Sequence, residues 1–246
     1  MSAPSPETPD TTKRYGLARV LSKMGYCSRK AAEELVIAGR VALNGVVRTD
    51  PETPVRMGYD EISVDGKAVE AQTKVYWMLN KPRGLVTTAD DEKGRETVYT
   101  LLPKGLPWMG PVGRLDMASE GLLLMTNDTE WANRITAPES HLEKTYHVQI
   151  GRVADQLLLE RFETGVEDGG EVLKAKRASM LREGERNCWL EIVLEEGKNR
   201  QIRRMVEAAG IEVLRLVRVK IGRLELGELQ KGAARELTAG ELKLLL

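Results

Sequence analysis

The 246-residue sequence predicts an α+β fold in two parts, a small N-terminal module followed by a larger domain with a mixed, mostly antiparallel sheet flanked by helices. Three observations lead there. Short apolar or alternating runs of strand length are interspersed with short amphipathic helical patterns, and none of these units carries a GxGxxG or a P-loop, so neither a dinucleotide nor ATP is implied. A polar stretch, Glu70-Ala71-Gln72-Thr73, reads as a short linker behind a basic first part. Finally, Val112–Asp128, VGRLDMASEGLLLMTND, contains the most apolar run of the chain, Leu122–Met125. Gly121 before it and Asn127-Asp128 after it leave no room for three helical turns, so it reads as a buried central strand. The expected division is a disordered tail over 1–14, a module over 15–72 and a main domain over 73–246.

Composition narrows the class. Charged residues make up 30% of the chain and aromatics 4%, and the 37 basic and 37 acidic side chains give a formal net charge of zero. No run approaches the roughly 20 apolar residues of a spanning helix, and MSAPSPETPDTT has neither a basic nor an apolar leader segment, which points to a cytoplasmic protein with no membrane partner. Cys27 and Cys188 are far apart and read as reduced thiols; His141 and His147 match no zinc spacing, so no metal is implied. The charge is unevenly spread. Lys13–Arg48 holds eight cations against two acids, and Gly197–Arg223 repeats that balance, so two stretches of +6 stand on an acidic remainder. Two such patches suit a polyanion-binding surface, although solvated helix faces produce similar runs.

In the first part, Leu17, Val20, Leu21 and Met24 recur at helical spacing and Gly25 ends the helix. Ser28 is placed to cap a second helix carrying Ala31, Ala32, Leu35 and Val36, which Gly39 stops. Val41-Ala42-Leu43 reads as a strand, turned by Asn44-Gly45, the strongest short hairpin signal. Pro51–Asp65 reads as a loop ending in the strand Ile62-Ser63-Val64. Two helices and a hairpin, with SRKAAEELVIAGRVALNG across the junction, resemble an S4-type RNA-binding domain over about residues 17–64. That resemblance implies RNA contacts at Arg19, Ser28, Arg29, Lys30 and Arg40, of the phosphate kind that fix position without reading sequence.

In the second part, Val75–Leu79 is a strand that Asn80-Lys81-Pro82-Arg83-Gly84 must end, because proline cannot continue a ladder. Asp90–Glu96 reads as a charged, mobile loop and Val98–Leu102 as a short helix before Pro103. Arg114-Leu115-Asp116 then sits on a tight loop at the lip of the core strand. From the residues alone, Asp116 can equally be a functional carboxylate or one half of a surface ion pair with Arg114 that caps the next turn. Trp131–Ile135 and Ala154–Phe162 read as helices, and Glu143–Ile150, Val172–Met180 and Trp189–Leu194 as strands, with Tyr146 and Val148 on one face. Gly197 and Asn199 favour a loop, after which Ile202, Met205, Val206 and Ala209 mark a helix with Arg203 near its start.

VGRLD with Ser119, Gly121 and LLLMTND resembles the active-site motif of the RsuA/RluB branch of the pseudouridine synthases, and KPRG, the Lys144-Thr145-Tyr146 triplet and GKNRQIRRM resemble that family's other motifs. The resemblance implies Asp116 as the catalytic nucleophile, Tyr146 packing against the target base, and Arg203 pairing with the aspartate. It implies further RNA contacts at Arg114, Lys198, Arg200 and Arg204. The implied reaction isomerises uridine to pseudouridine in ribosomal RNA, the large-subunit RNA before the small, after the base is flipped from its stack, with no cofactor. The expected partner is ribosomal RNA or a ribosome-assembly intermediate, and the expected acting form a monomer. One departure from the pattern is Thr129, where many relatives have glycine. Two competitors stand beside this reading. A non-catalytic S4-bearing RNA-binding or assembly factor accounts for the basic stretches but gives Asp116, Tyr146 and Arg203 no joint reason to be present. A hydrolase pairing Asp116 with Glu120 needs a helical segment, which Gly121 opposes.

Overall fold

A computed structural model describes residues 13–245; the N-terminal tail expected over 1–14 lies almost wholly outside them. The chain forms two compact units, one running to Val75 and including short pieces at 105–110 and 127–129, the other made of Tyr76–Lys104, Pro111–Thr126 and Glu130–Leu246.

The first unit contains β1 (Arg14–Gly16), α1 (Leu17–Lys23), α2 (Arg29–Ile37), β2 (Val41–Leu43), β3 (Val46–Arg48), β4 (Pro54–Arg56), β5 (Ile62–Val64) and β6 (Lys67–Ala68). Ser28 caps α2 as the sequence predicts, its Oγ accepting from the Ala31 amide at 3.1 Å. Asn44 and Gly45 take φ of +51° and +79°, the mirror-image turn whose twist matches that of the paired strands β2 and β3. The sheet runs β3-β2-β5-β6, wholly antiparallel. Leu17, Val20 and Leu21 of α1 and Ala32 and Val36 of α2 bury against Val41, Leu43, Val55, Ile62 and Val64. Each of the larger side chains contributes about 1.5–3 kcal/mol by leaving water. The pairing of β1 with β4 is not legible in the sequence, because three residues around Tyr15 and three after Pro54 are too few to show a period.

The second unit is built on a nine-stranded sheet. Its elements are β7 (Tyr76–Lys81), β8 (Gly110–Val112), β9 (Glu120–Thr126), α3 (Thr129–Thr136), β10 (Lys144–Ile150), α4 (Gln156–Thr164), the hairpin β11 (Val166–Asp168) and β12 (Glu171–Leu173), β13 (Arg177–Glu183), β14 (Cys188–Leu194), α5 (Gln201–Ala208), β15 (Val213–Ile221), β16 (Leu224–Glu225), β17 (Ala234–Glu236) and α6 (Ala239–Leu242). The strand order is β13-β14-β10-β15-β9-β7-β17, with β16 on β15 and β8 on β9. Along that order only β9 and β15 run parallel, so the sheet is mixed and mostly antiparallel as expected. Every residue of β9 is buried, which explains its unbroken apolar run.

One reading changes. The strand expected over Val172–Met180 breaks at Lys174–Lys176 into β12 and β13, which pair with different partners. The loop Asp90–Glu96 contains an ion pair, Arg95 Nη2 standing 2.6 Å from Asp91 Oδ1, and Val86 bridges Thr97.

Candidate active site

Asp116–Ser119 is a tight turn closed by the Ser119 amide donating to the Asp116 carbonyl at 2.9 Å, and β9 starts at the next residue. Lys81, the last residue of β7, lies fully buried beneath it. Its Nζ donates to the carbonyls of Ser119 (2.8 Å), Asp116 (3.0 Å) and Pro82 (3.1 Å), with Met117 O at 3.5 Å. One ammonium thus satisfies most of the inward carbonyls of a turn that offers no second strand to bond. Burial pushes Lys81 down to about 8, against the pull of Asp116 and Glu120. The sequence reading missed this role, since KPRG spells a turn; the available signal was a lysine ending an otherwise apolar strand.

The Asp116 carboxylate faces outward from this support, 34% exposed, with Arg200 Nη1 at 3.9 Å from Oδ2. Arg200 adopts a left-handed φ of +49° immediately before α5. Arg203, one turn further on, is almost buried; its Nη2 donates to Ala118 O at 3.0 Å and its Nε has no hydrogen-bond partner. Burial, then neighbouring Arg200, holds the Arg203 pKa below the usual guanidinium value, while Asp116 opposes the shift. The resemblance implies Arg203 as the partner of the aspartate. In the structure the cation in ion-pair range of Asp116 is Arg200, and Arg203 binds the backbone of the turn that carries it.

Tyr146 lies on β10, half-buried against the core that α4 and α5 share with Val148 and Ile150. It pairs across the sheet with Arg218 of β15, and Arg218 pairs in turn with Gly121 of β9. Directly paired residues share a sheet face, so Gly121, Arg218 and Tyr146 form one row on the face that α5 covers, two strand spacings or about 10 Å wide. Glu120 belongs to the opposite face. It is held bidentately by Arg215 at 3.0 Å and 3.0 Å and also by Lys231, so it is a structural anchor and no partner for Asp116 in acid–base work.

The expected RNA contacts separate into two groups. Arg19, Lys30 and Arg114 are exposed. Arg29 is exposed and faces Glu33 and Glu52, Lys198 makes a 3.5 Å approach to Glu196, and Arg200 is committed as described. Three of them have partners within the protein. Ser28 spends its hydroxyl on the helix cap. Arg40 is forked onto Asp65 at 2.9 Å and 2.5 Å. Arg204 is bound by Asp168 at 2.5 Å and Glu171 at 2.9 Å and clamps the β11–β12 hairpin to α5. The second +6 stretch is likewise consumed largely inside the fold, where Arg203, Arg204, Arg215, Arg218 and Lys220 all have bonded partners. Among the described residues no three His, Cys, Asp or Glu side chains converge as a metal-binding group, and no helix is long and apolar enough to cross a membrane.

Comparison with known proteins bears on this geometry. Residues 75–208 match the family model of RNA pseudouridylate synthases and residues 16–62 that of the S4 domain. The chain is 39% identical over 232 residues to the Ribosomal large subunit pseudouridine synthase B of Bacillus subtilis, covering 93% of this chain and 94% of that one. It is 39% identical over 225 residues to an uncharacterized RNA pseudouridine synthase of Aquifex aeolicus, covering 91% and 90%. A crystal structure of a pseudouridylate synthase superposes with a TM-score of 0.67 at 29% identity, covering 94% of this chain and all of that one. A carboxylate presented on a lysine-braced turn beside α5, in a chain that matches these proteins over nearly its whole length, places it in the RNA pseudouridylate synthase family, with an S4 domain at its N-terminal end.

Proposed function

We propose that this enzyme converts one uridine of large-subunit ribosomal RNA to pseudouridine, with Asp116 as the reacting carboxylate. The observation that carries the chemistry is the Asp116 turn: its backbone is tied down by Lys81 and Arg203 while its side chain stays open beside Arg200. Its large-subunit substrate is supported by the Bacillus relative named for that RNA. The uridine must first leave its stack, at a cost of a few kcal/mol, which basic side chains of the S4 domain such as Arg19, Arg29 and Lys30 offset by binding phosphates. Arg114 occupies or holds the space the base vacates. Asp116 then acts on the ribose, with Arg200 beside its carboxylate and Arg203 holding the turn that carries it, and Tyr146 confines the freed uracil while it turns to present C5. The reaction consumes no second substrate. The protein works in the cytoplasm as a monomer, on ribosomal RNA or an assembly intermediate.

The test maps pseudouridines in ribosomal and transfer RNA from cells lacking this protein, then re-supplies wild type or Asp116→Asn. The expected result is a missing large-subunit site that wild type restores and Asp116→Asn does not, although the variant's circular dichroism and melting match wild type. Restoration by Asp116→Asn would remove the aspartate from the mechanism. A missing small-subunit site would move the substrate, and an unchanged map would favour a binding factor.

A further inference from the structure

Three buried side-chain groups, on the Asp116 turn, on α5 and on β15, have no hydrogen-bond partner: Ser119 Oγ, Arg203 Nε and Arg218 Nη2. Unsatisfied buried donors are costly, and more so when charged, so each calls for a reason. Arg203 and Ser119 belong to the support of the turn. Arg218 does not. It is 5% exposed, its Nε donates to Leu122 O at 2.8 Å, and its Nη2 is left over.

Its place in the sheet says what the spare donor faces. Arg218 stands in the row between Gly121, five residues after Asp116, and Tyr146, on the face that α5 covers. A Cβ on Gly121 would meet the Arg218 carbonyl at 2.2 Å, so β9 and β15 come together here only because the residue is glycine. In register, Arg218 thus stands between the strand that leaves the Asp116 turn and the strand that carries Tyr146. Lys144, on the same face of β10, has its pKa lowered by burial and by Arg218, so the arginine's charge is felt across this face.

Resting on the reading of the enzyme given above, we propose that Arg218 is the cation that stabilises the uracil as it leaves C1′. The C1′–N1 bond breaks with its electron pair remaining on the base. The compensating bond is either Asp116 Oδ to C1′, or the C1′–C2′ double bond formed as Asp116 takes the C2′ proton. By either route the base departs as an anion with its charge spread over N1, O2 and O4. A fixed guanidinium that is itself buried stabilises that charge without reorganising. Arg218 thereby serves the step that both routes share, and it is distinct from Arg200 and Arg203, which serve the carboxylate.

The experiment uses full-length wild type and Arg218→Lys, with Arg218→Met as second variant, on large-subunit ribosomal RNA transcribed with uridine or with 5-fluorouridine. Fluorine withdraws electrons and makes the base a better leaving group, so it lessens the need for a cation. Single-turnover consumption of the target nucleotide is read by mass spectrometry after nuclease digestion, together with KM and melting temperature. On uridine the variants lose on the order of 100-fold in kcat with KM near wild type, and on 5-fluorouridine the deficit shrinks at least tenfold. Equal deficits on the two RNAs, or a fall in melting temperature with no loss of kcat, would show that Arg218 only braces Leu122 and would overturn the proposal. A wild-type enzyme that consumes neither RNA overturns the large-subunit reading and this proposal with it.

Discussion

Lys81 shows how much of a site can rest on one atom. Its Nζ gathers the carbonyls of Pro82, Asp116 and Ser119, and only the protonated amine has three hydrogens to give them. Burial sets its pKa at about 8, well under the 10.5 of the unfolded chain. Because the folded value is the lower one, Lys81 detracts from folding stability below pH 8, and that cost fades as pH rises from about 8 to 10.5, where the unfolded chain binds the extra proton. Function runs the other way. As pH passes 8 the amine goes neutral, its lone pair faces carbonyl oxygens, and the turn carrying Asp116 loosens. The expected pH profile of single-turnover pseudouridine formation therefore falls on its alkaline side with a midpoint near 8, while the melting temperature does not fall over the same interval. A flat rate to pH 9.5 would show that the turn holds without the third proton.

At the level of elements, the decisive joint is the parallel pairing of β9 with β15, only two residues long, which docks the Asp116 turn into a sheet that is otherwise antiparallel along its strand order. Gly121 makes it possible. Its φ is +101°, and an added Cβ would lie 2.2 Å from Arg218 O and 2.8 Å from Arg218 N, both backbone atoms that cannot turn aside. Gly121→Ala combines about 1–3 kcal/mol of backbone strain with a forced separation of the strands. At roughly 2–4 °C per kcal/mol for a chain of this size, the expected loss is about 10 °C in melting temperature, with turnover abolished because Asp116 moves with the strand. Thermal melting and a pseudouridine assay check it, and an alanine variant of normal activity would remove the joint from the mechanism. The glycine was legible as the boundary of an apolar run, its partner was not, because β9 and β15 are nearly a hundred residues apart. The same limit explains other outcomes. The Asn44-Gly45 hairpin and the capped α2 were legible because their signals are local. The β1–β4 pair and the break between β12 and β13 depend on distant partners, and so does the choice of Arg200 over Arg203 as the cation in ion-pair range of Asp116.

For the whole molecule, charge is a matter of which cations are free rather than how many there are. The sequence shows two equal stretches of +6, yet the fold uses them differently. The second is spent holding the catalytic domain together, with Arg204 on Asp168 and Glu171, Arg215 on Glu120, and Arg218 on Leu122 O. In the first, Lys30 is exposed on α2 with no carboxylate in ion-pair range among the described residues, and Arg19 is exposed beside the Tyr15 ring at 5.5 Å. Each phosphate contact made by a free cation releases condensed counterions and adds about 0.7–0.9 to the slope of log affinity against log salt. A cation held firmly by carboxylates within the protein adds less, because it must first leave them. Binding of large-subunit ribosomal RNA, titrated between 50 and 300 mM salt, on the order of the ionic strengths where such slopes are read, separates the two classes. Lys30→Ala is expected to shed a slope of about 0.7–0.9 with an unchanged melting temperature. Arg204→Ala is expected to keep the wild-type slope and to lose about 1 kcal/mol of stability as the β11–β12 hairpin comes away from α5. If Arg204→Ala lowers the slope as much as Lys30→Ala does, its carboxylates release it to the RNA, and the second basic stretch belongs to the binding surface after all.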